Sequence, residues 1–291
     1  MSRIFDFINL ARPHQYVKNG FIFLPLFFGA KFYDIPVLVS CLLAFVSFSL
    51  LSSCVYVIND LQDIEADRQH PVKKHRPLAS GKVSRMQGMM FAAILGIGCL
   101  CLCSLLRVEA VGLMLTYLLL NLCYSYKLKH IAILDVVIIS LGFVIRVFVG
   151  TVQAGVAISH WIVLMTFLLA MFLALAKRRD DLLVSANGAK TRKCLDGYSF
   201  EFVSLSMIFM AAVTIVSYIM FTALPEVSLR YGTEYLYLTT FWVLLGLLRY
   251  LQITFVEERS GSPTKVLIKD SFLQIVITCW LGHFAFFIYI K

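Results

Sequence analysis

Apolar runs of about 20 residues recur from one end of this chain to the other, and a bilayer is the setting that most readily accommodates them. Nine are read along the 291 residues: 16–33, 36–58, 85–105, 108–126, 131–152, 159–178, 199–223, 233–256 and 267–290. Charged residues make up only 15% of the chain, against about 25% in a soluble domain. The expected fold is all-α: a polytopic membrane protein of about nine transmembrane helices around a cytoplasm-facing cavity, with residues 1–291 forming a single transmembrane domain. Arg12, Pro13 and Lys18 interrupt the first apolar stretch, so no cleavable signal peptide is expected.

Charge decides the orientation. In the nine-span reading, 20 of the 26 Lys and Arg residues fall on one side of the membrane. Lys31, Arg107, Arg230 and Lys291 fall on the other, and Arg146 and Arg249 lie within spans or at their ends. The positive-inside bias therefore places the N-terminus and the 60–85 loop in the cytoplasm of a cell-membrane protein. It also accounts for the net charge of +9 without a nucleic-acid partner, because no soluble basic domain is present. The eight cysteines contain no C-x-x-C pair and read as small apolar fillers. Metalloprotease, Walker A, nucleophile-elbow and dinucleotide motifs are absent.

The densest polar stretch is Asn59-Asp60-Leu61-Gln62-Asp63-Ile64-Glu65-Ala66-Asp67, at the end of the second run. Asp60, Asp63 and Asp67 are spaced i, i+3 and i+7. That spacing predicts one stripe of a helix extending from the span. Asn59, four residues before Asp63, adds a carbonyl oxygen, and Tyr56 lies one turn deeper. Such a set of hard oxygens suits Mg²⁺ shared with substrate phosphates; the plainer reading is a solvated helix end. Lys73, Lys74, Arg76 and Lys82 follow. They read either as phosphate ligands or as part of the positive-inside signal.

Charges inside spans are costly. Arg146 needs a partner or an anionic ligand. Asp135, three helical turns earlier on about the same face, makes a structural ion pair one alternative; an Arg presented to substrate phosphate is the other. Lys129 is a candidate for the same cavity, whereas Lys127 reads as a surface anchor. Lys18 sits in an apolar setting and is a further candidate phosphate contact. Lys177 and Arg178, with Arg179, Asp180 and Asp181, either complete a phosphate site or end a helix at the interface.

Asn59-Asp60-x-x-Asp63-x-x-x-Asp67 resembles the first aspartate-rich motif of the UbiA-type intramembrane prenyltransferase superfamily. Arg12-Pro13-x-x-x-x-Lys18-Asn19 is similar to the start of its first helix, and His75-Arg76-Pro77-Leu78-Ala79-Ser80-Gly81 to its sequence after the motif. Tyr124-Ser125-x-x-Leu128-Lys129-His130 with Asp135, Gly142-Phe143-x-x-Arg146-x-x-x-Gly150, Lys177-Arg178 with Asp181, and Leu248-Arg249-Tyr250 with Asp270 resemble the decaprenyl-phosphate phosphoribosyltransferase branch. The second D-x-x-x-D motif usual in members with aromatic acceptors is represented only by Asp180-Asp181 and the distant Asp196.

The resemblance implies a membrane enzyme of cell wall biosynthesis. It would transfer 5-phosphoribose from phosphoribosyl diphosphate to a polyprenyl (decaprenyl-type) phosphate, with Mg²⁺, releasing diphosphate. It implies Asn59, Asp60, Asp63 and Asp67 as metal and diphosphate ligands, and Lys18, Lys73, Lys129 and Arg146 as phosphate contacts. Tyr56 would line the cavity; Lys74, Arg76, Lys177 and Arg178 would be further substrate contacts. Asp60, Asp63 and Arg146 are the catalytic candidates. Two alternatives stand beside this reading: transfer of an isoprenyl group from its diphosphate to an aromatic acceptor, and membrane transport of a phosphorylated or cationic solute.

Overall fold

The apolar runs become helices because a segment in hydrocarbon must bond its own backbone. The computed structural model describes residues 2–69, 72–186 and 193–290. Among them, eight helices are long and apolar enough to cross a membrane, and no strand is present. Backbone contacts divide the chain into two compact units, Met1–Ile158 with Ser185–Cys194, and Ser159–Val184 with Leu195–Lys291.

The first unit begins with α1 (Ser2–Ala11), a 3₁₀-helix (Pro13–Phe23) and the short α2 (Leu24–Phe28). The long helices α3 (Ile35–Gln62), α5 (Arg85–Cys103), α6 (Val108–Tyr126) and α7 (Leu134–Ala154) follow, with the five-residue α4 (Ile64–Arg68) between the first two. Here α3 packs along α5 and against α6, α7 and the 3₁₀-helix. Phe48, Leu51, Val55, Met114, Tyr117, Ile145 and Val149 form its main apolar core. A second cluster around Leu10, Val57, Ile64, Leu78 and Leu95 lies beside the acidic motif. Ser84 starts α5 with a reciprocal cap: its hydroxyl accepts from Gln87 N–H and the Gln87 side chain accepts from Ser84 N–H.

Two expectations are corrected. Residues 16–33 are wound as a 3₁₀-helix and the short α2 rather than as one long α-helix, so among the described residues eight long apolar helices stand where nine spans were read. Pro25 removes an amide donor in that stretch, and Asn19, buried within it, turns to hydrogen-bond α3. At about 2.0 and 1.5 Å per residue, the 3₁₀ segment and α2 would reach roughly 30 Å at most if collinear. The acidic stripe is likewise not on one unbroken helix: α3 ends at Gln62, Asp63 bends, and α4 starts at Ile64. The i→i−4 pattern nevertheless carries across the bend, from Asp63 N–H to Asn59 O (3.0 Å) and from Asp67 N–H to Asp63 O (2.7 Å).

The second unit contains most of α8 (His160–Ala186), then α9 (Phe200–Ala223), α10 (Pro225–Tyr231), α11 (Thr240–Phe255), α12 (Pro263–Lys269) and α13 (Ser271–Ala285). The α11 helix packs on both α9 and α13. All eight cysteines carry free thiols, of which Cys41, Cys54, Cys99 and Cys194 are buried.

Candidate functional site

The acidic motif and its surroundings belong to the first unit. Asp60, at the end of α3, is almost fully buried, and two guanidinium groups approach it. Arg12 Nη2 donates to both of its oxygens, at 2.5 and 2.8 Å. Arg76 Nη1 donates to Asp60 Oδ1 at 2.9 Å and to the buried Asp67 Oδ2 at 2.6 Å. Asp63 accepts from Lys129 Nζ at 2.6 Å. The Ser125 hydroxyl lies within hydrogen-bond reach of both Asn59 Oδ1 and Asn121 O, and its one proton can be donated to either. The Tyr56 ring lies 5.2 Å from the Arg12 guanidinium. Three segments far apart in sequence thus converge on the motif: the chain after α1, the loop after α4 and the turn after α6.

Arg146 is buried, at 4% exposure, in α7. Of the two sequence readings, a structural pair with Asp135 and an Arg presented to phosphate, the first is not seen: no ion pair joins Arg146 to Asp135 among the described residues. Arg146 Nε donates to Asn19 Oδ1 (2.8 Å), Nη1 to Gly142 O (2.6 Å) and Nη2 to the Tyr117 hydroxyl (3.2 Å). The rings of Phe48, Tyr117 and Phe143 lie 4.7–5.4 Å from its guanidinium carbon. These partners are neutral, so they orient the charge without cancelling it. Asn19 is itself fixed by Ser49 Oγ at 2.9 Å. The charged neighbours of the Lys18 ammonium are Arg146 and Arg12. Among the described residues neither Lys18 nor Arg146 is in an ion pair with a carboxylate, and their like charges make a local positive field, which is what an anion requires.

Lys73 is half-buried and Lys74 exposed on a single 3₁₀ turn, Lys73–His75. Lys177 and Arg178 belong to the second unit. There Arg178 is fully buried and donates to Asp181 Oδ2 at 2.6 Å. That unit also pairs Arg249 with Asp270 (2.6 Å) and with Glu257 (2.8 Å), joining the two ends of a resemblance separated by 21 residues. Sequence reading gave no site role to Arg12, Asn19, Tyr117 or Ser125, although Ser125 lies in one of the resembling motifs. The Arg-Pro and Lys-Asn pairs marked the segment holding the first two. Nothing local signalled Tyr117, which reaches Arg146 from another helix.

The donor chemistry of the motif fits a hard cation, since three carboxylates and a carboxamide offer only oxygen. Among the described residues, however, no three His, Cys, Asp or Glu side chains are gathered to hold a metal. Each carboxylate points instead to Arg12, Arg76 or Lys129. The motif is therefore a set of ion pairs between its carboxylates and cations from other segments.

The UbiA prenyltransferase family matches residues 21–286. Decaprenyl-phosphate phosphoribosyltransferase of Mycolicibacterium smegmatis is 31% identical over 97% of this chain and 92% of its own length. The enzyme of the same name from Corynebacterium glutamicum is 31% identical over 97% and 86%. A UbiA homolog from Archaeoglobus fulgidus, solved bound to DMAPP and Mg²⁺, superposes with a TM-score of 0.72 at 18% identity, over 98% of this chain and all of that one. With its apolar helices and its buried charge network, this chain belongs to the UbiA prenyltransferase family and is a membrane-embedded transferase.

Proposed function

We propose that this enzyme transfers 5-phosphoribose from phosphoribosyl diphosphate to a polyprenyl phosphate of the decaprenyl type, releasing diphosphate. The observation that carries the reading is the surplus of positive charge around Lys18 and Arg146. A diphosphate and its metal account for the Asp60–Asp63–Asp67 region. Lys18 and Arg146, in no ion pair with a carboxylate among the described residues, call for a further phosphate, and both substrates of this reaction carry one. The two relatives of that name, alike across nearly the whole chain, support the same reading. The family match across both units supports treating them as one catalytic domain.

In this mechanism Asn59, Asp60, Asp63 and Asp67 would hold Mg²⁺, and Lys129, Lys73 and Arg76 would bind diphosphate oxygens. Bound Mg²⁺ supplies charge neutralisation that makes the diphosphate a better leaving group. Lys18 and Arg146 hold the second phosphate, with Tyr56 beside the motif and Lys74 an outlying contact. The C1–O bond to diphosphate breaks, diphosphate departs with the electron pair, and an acceptor phosphate oxygen bonds to C1. That oxygen is already anionic and needs no strong general base. The chain supplies positioning and electrostatic stabilisation. The site faces the cytoplasm, where the water-soluble donor is made, and the lipid tail lies along apolar helix surface.

The test is a donor and acceptor screen on purified protein with Mg²⁺. Phosphoribosyl diphosphate and prenyl diphosphates are each paired with a polyprenyl phosphate and an aromatic acid. Transfer of labelled phosphoribose to the lipid phosphate is expected. Consumption of a prenyl diphosphate with an aromatic acid would replace this reading with the prenyl-transfer alternative. Solute flux in liposomes without turnover would replace it with transport.

A further inference from the structure

Arg12 occupies a backbone position that ordinarily belongs to glycine. It follows the last residue of α1 with φ 55° and ψ 56°, the left-handed region. Its N–H donates to Ile8 O at 3.1 Å, the single bond of a left-handed helix cap, and Pro13 follows. A residue with a Cβ is disfavoured in this conformation by about 1 kcal/mol, which glycine avoids. Local chain geometry therefore gives no reason for arginine here. Attachment of the segment to α3 gives little more. Ser53 already donates to Ala11 O at 2.8 Å and meets the Tyr16 hydroxyl at 2.9 Å.

What arginine adds is its contact with Asp60. One nitrogen of its guanidinium takes both carboxylate oxygens, the atoms a divalent cation would take. The Tyr56 ring lies against the same guanidinium, and Lys18 is its charged neighbour. Arg12 and a metal thus compete for Asp60, while Arg12 and the metal attract the same phosphate oxygens.

We propose that Arg12 is an exchangeable counter-ion and positioning residue for Asp60. It holds the carboxylate while the metal is away, then yields it to the metal–diphosphate and turns to a phosphate oxygen. The inference rests on the proposed metal–diphosphate site but not on which diphosphate ester is the donor. It makes metal loading and diphosphate loading cooperative, because each relieves a cost that the other meets alone.

The experiment uses the full chain in detergent and two variants. Arg12→Gly relieves the backbone conformation, and Arg12→Asn tolerates it. Magnesium alone is titrated first, followed by melting temperature. Inorganic diphosphate, the part shared by phosphoribosyl and prenyl donors, is then titrated at saturating magnesium by calorimetry. Both variants are expected to bind magnesium alone about tenfold more tightly and diphosphate about tenfold more weakly, the scale of one charge-assisted hydrogen bond. An unchanged affinity for either ligand in a folded variant overturns the proposal; a merely structural arginine would shift melting without shifting either titration. Failure of the substrate reading would instead appear as wild-type protein that binds magnesium and diphosphate yet transfers no phosphoribose.

Discussion

Asp63 and Arg146 separate two kinds of charge in this protein. Asp63 is one-third exposed and paired with Lys129 across 66 residues of sequence. Asp63→Ala removes a proposed metal ligand from a partly solvated bend, so the fold survives. Transfer is expected to fall at least about a hundredfold, measured as labelled phosphoribose reaching lipid; unchanged turnover would remove Asp63 from the metal set. Arg146 is buried among neutral acceptors and rings, and Arg146→Met keeps the bulk while deleting the charge. Loss of phosphate-dependent binding with a retained melting temperature is expected. A collapse in detergent stability with activity preserved in the surviving fraction would make Arg146 structural. The carboxylates were legible in the sequence because their spacing is local. The acceptors that hold Arg146 were not: Asn19 is 127 positions away and Tyr117 is 29 away, and no periodicity carries such pairings.

Among the elements, the 3₁₀ segment is the one that composition misjudged, because apolar content alone does not distinguish a long α-helix from a tighter helix broken by prolines. Its place is set by α7. A Cβ at Gly150 would lie 2.0 Å from Ile22 O and 2.8 Å from Ile22 C, both backbone atoms with no rotamer to yield. Gly150→Ala is therefore expected to destabilise the first unit by about 1–3 kcal/mol. It would also weaken phosphate binding, because the displaced segment carries Lys18 and Asn19; an unaltered melting temperature would contradict this packing.

In the second unit, Asp270 accepts from Leu273 N–H at 2.9 Å, capping α13. The Arg249 hydrogen bonds hold its carboxyl below the usual aspartate range, and Arg259 and then Arg249 do the same for Glu257. Both folded-state values lie below the unfolded ones. This stabilisation is thus complete above about pH 4 and is lost as pH falls through the folded values. Melting temperature in detergent should hold down to about pH 4.5 and drop between about pH 4.5 and 2 in the wild type, and drop less in Asp270→Asn. Equal slopes would show that the pair contributes nothing.

At the scale of the molecule, access of a water-soluble donor to the acidic motif depends on which end of the helices meets the cytoplasm. Composition made the helices legible, since their apolar runs exceed what a soluble core of this size needs. Charge asymmetry made a direction legible, but only as a count over loops. The α5 helix offers the sharpest test, because its 19 residues separate two exposed positions at opposite ends: Lys82, in the loop that follows the acidic motif, and Ser104, just past the C-terminus. At about 1.5 Å per residue the helix spans nearly 30 Å, the thickness of the hydrocarbon core. Lys82→Cys and Ser104→Cys, each in a background with the eight native cysteines replaced, are challenged with a membrane-impermeant thiol reagent in intact spheroplasts. Labelling is expected at once for Ser104→Cys and only after permeabilisation for Lys82→Cys. The reverse pattern would place the acidic motif outside the cell, away from a soluble cytoplasmic phosphoribosyl donor. It would undo the orientation and, with it, the argument for a cytoplasmic donor, while leaving the family assignment untouched.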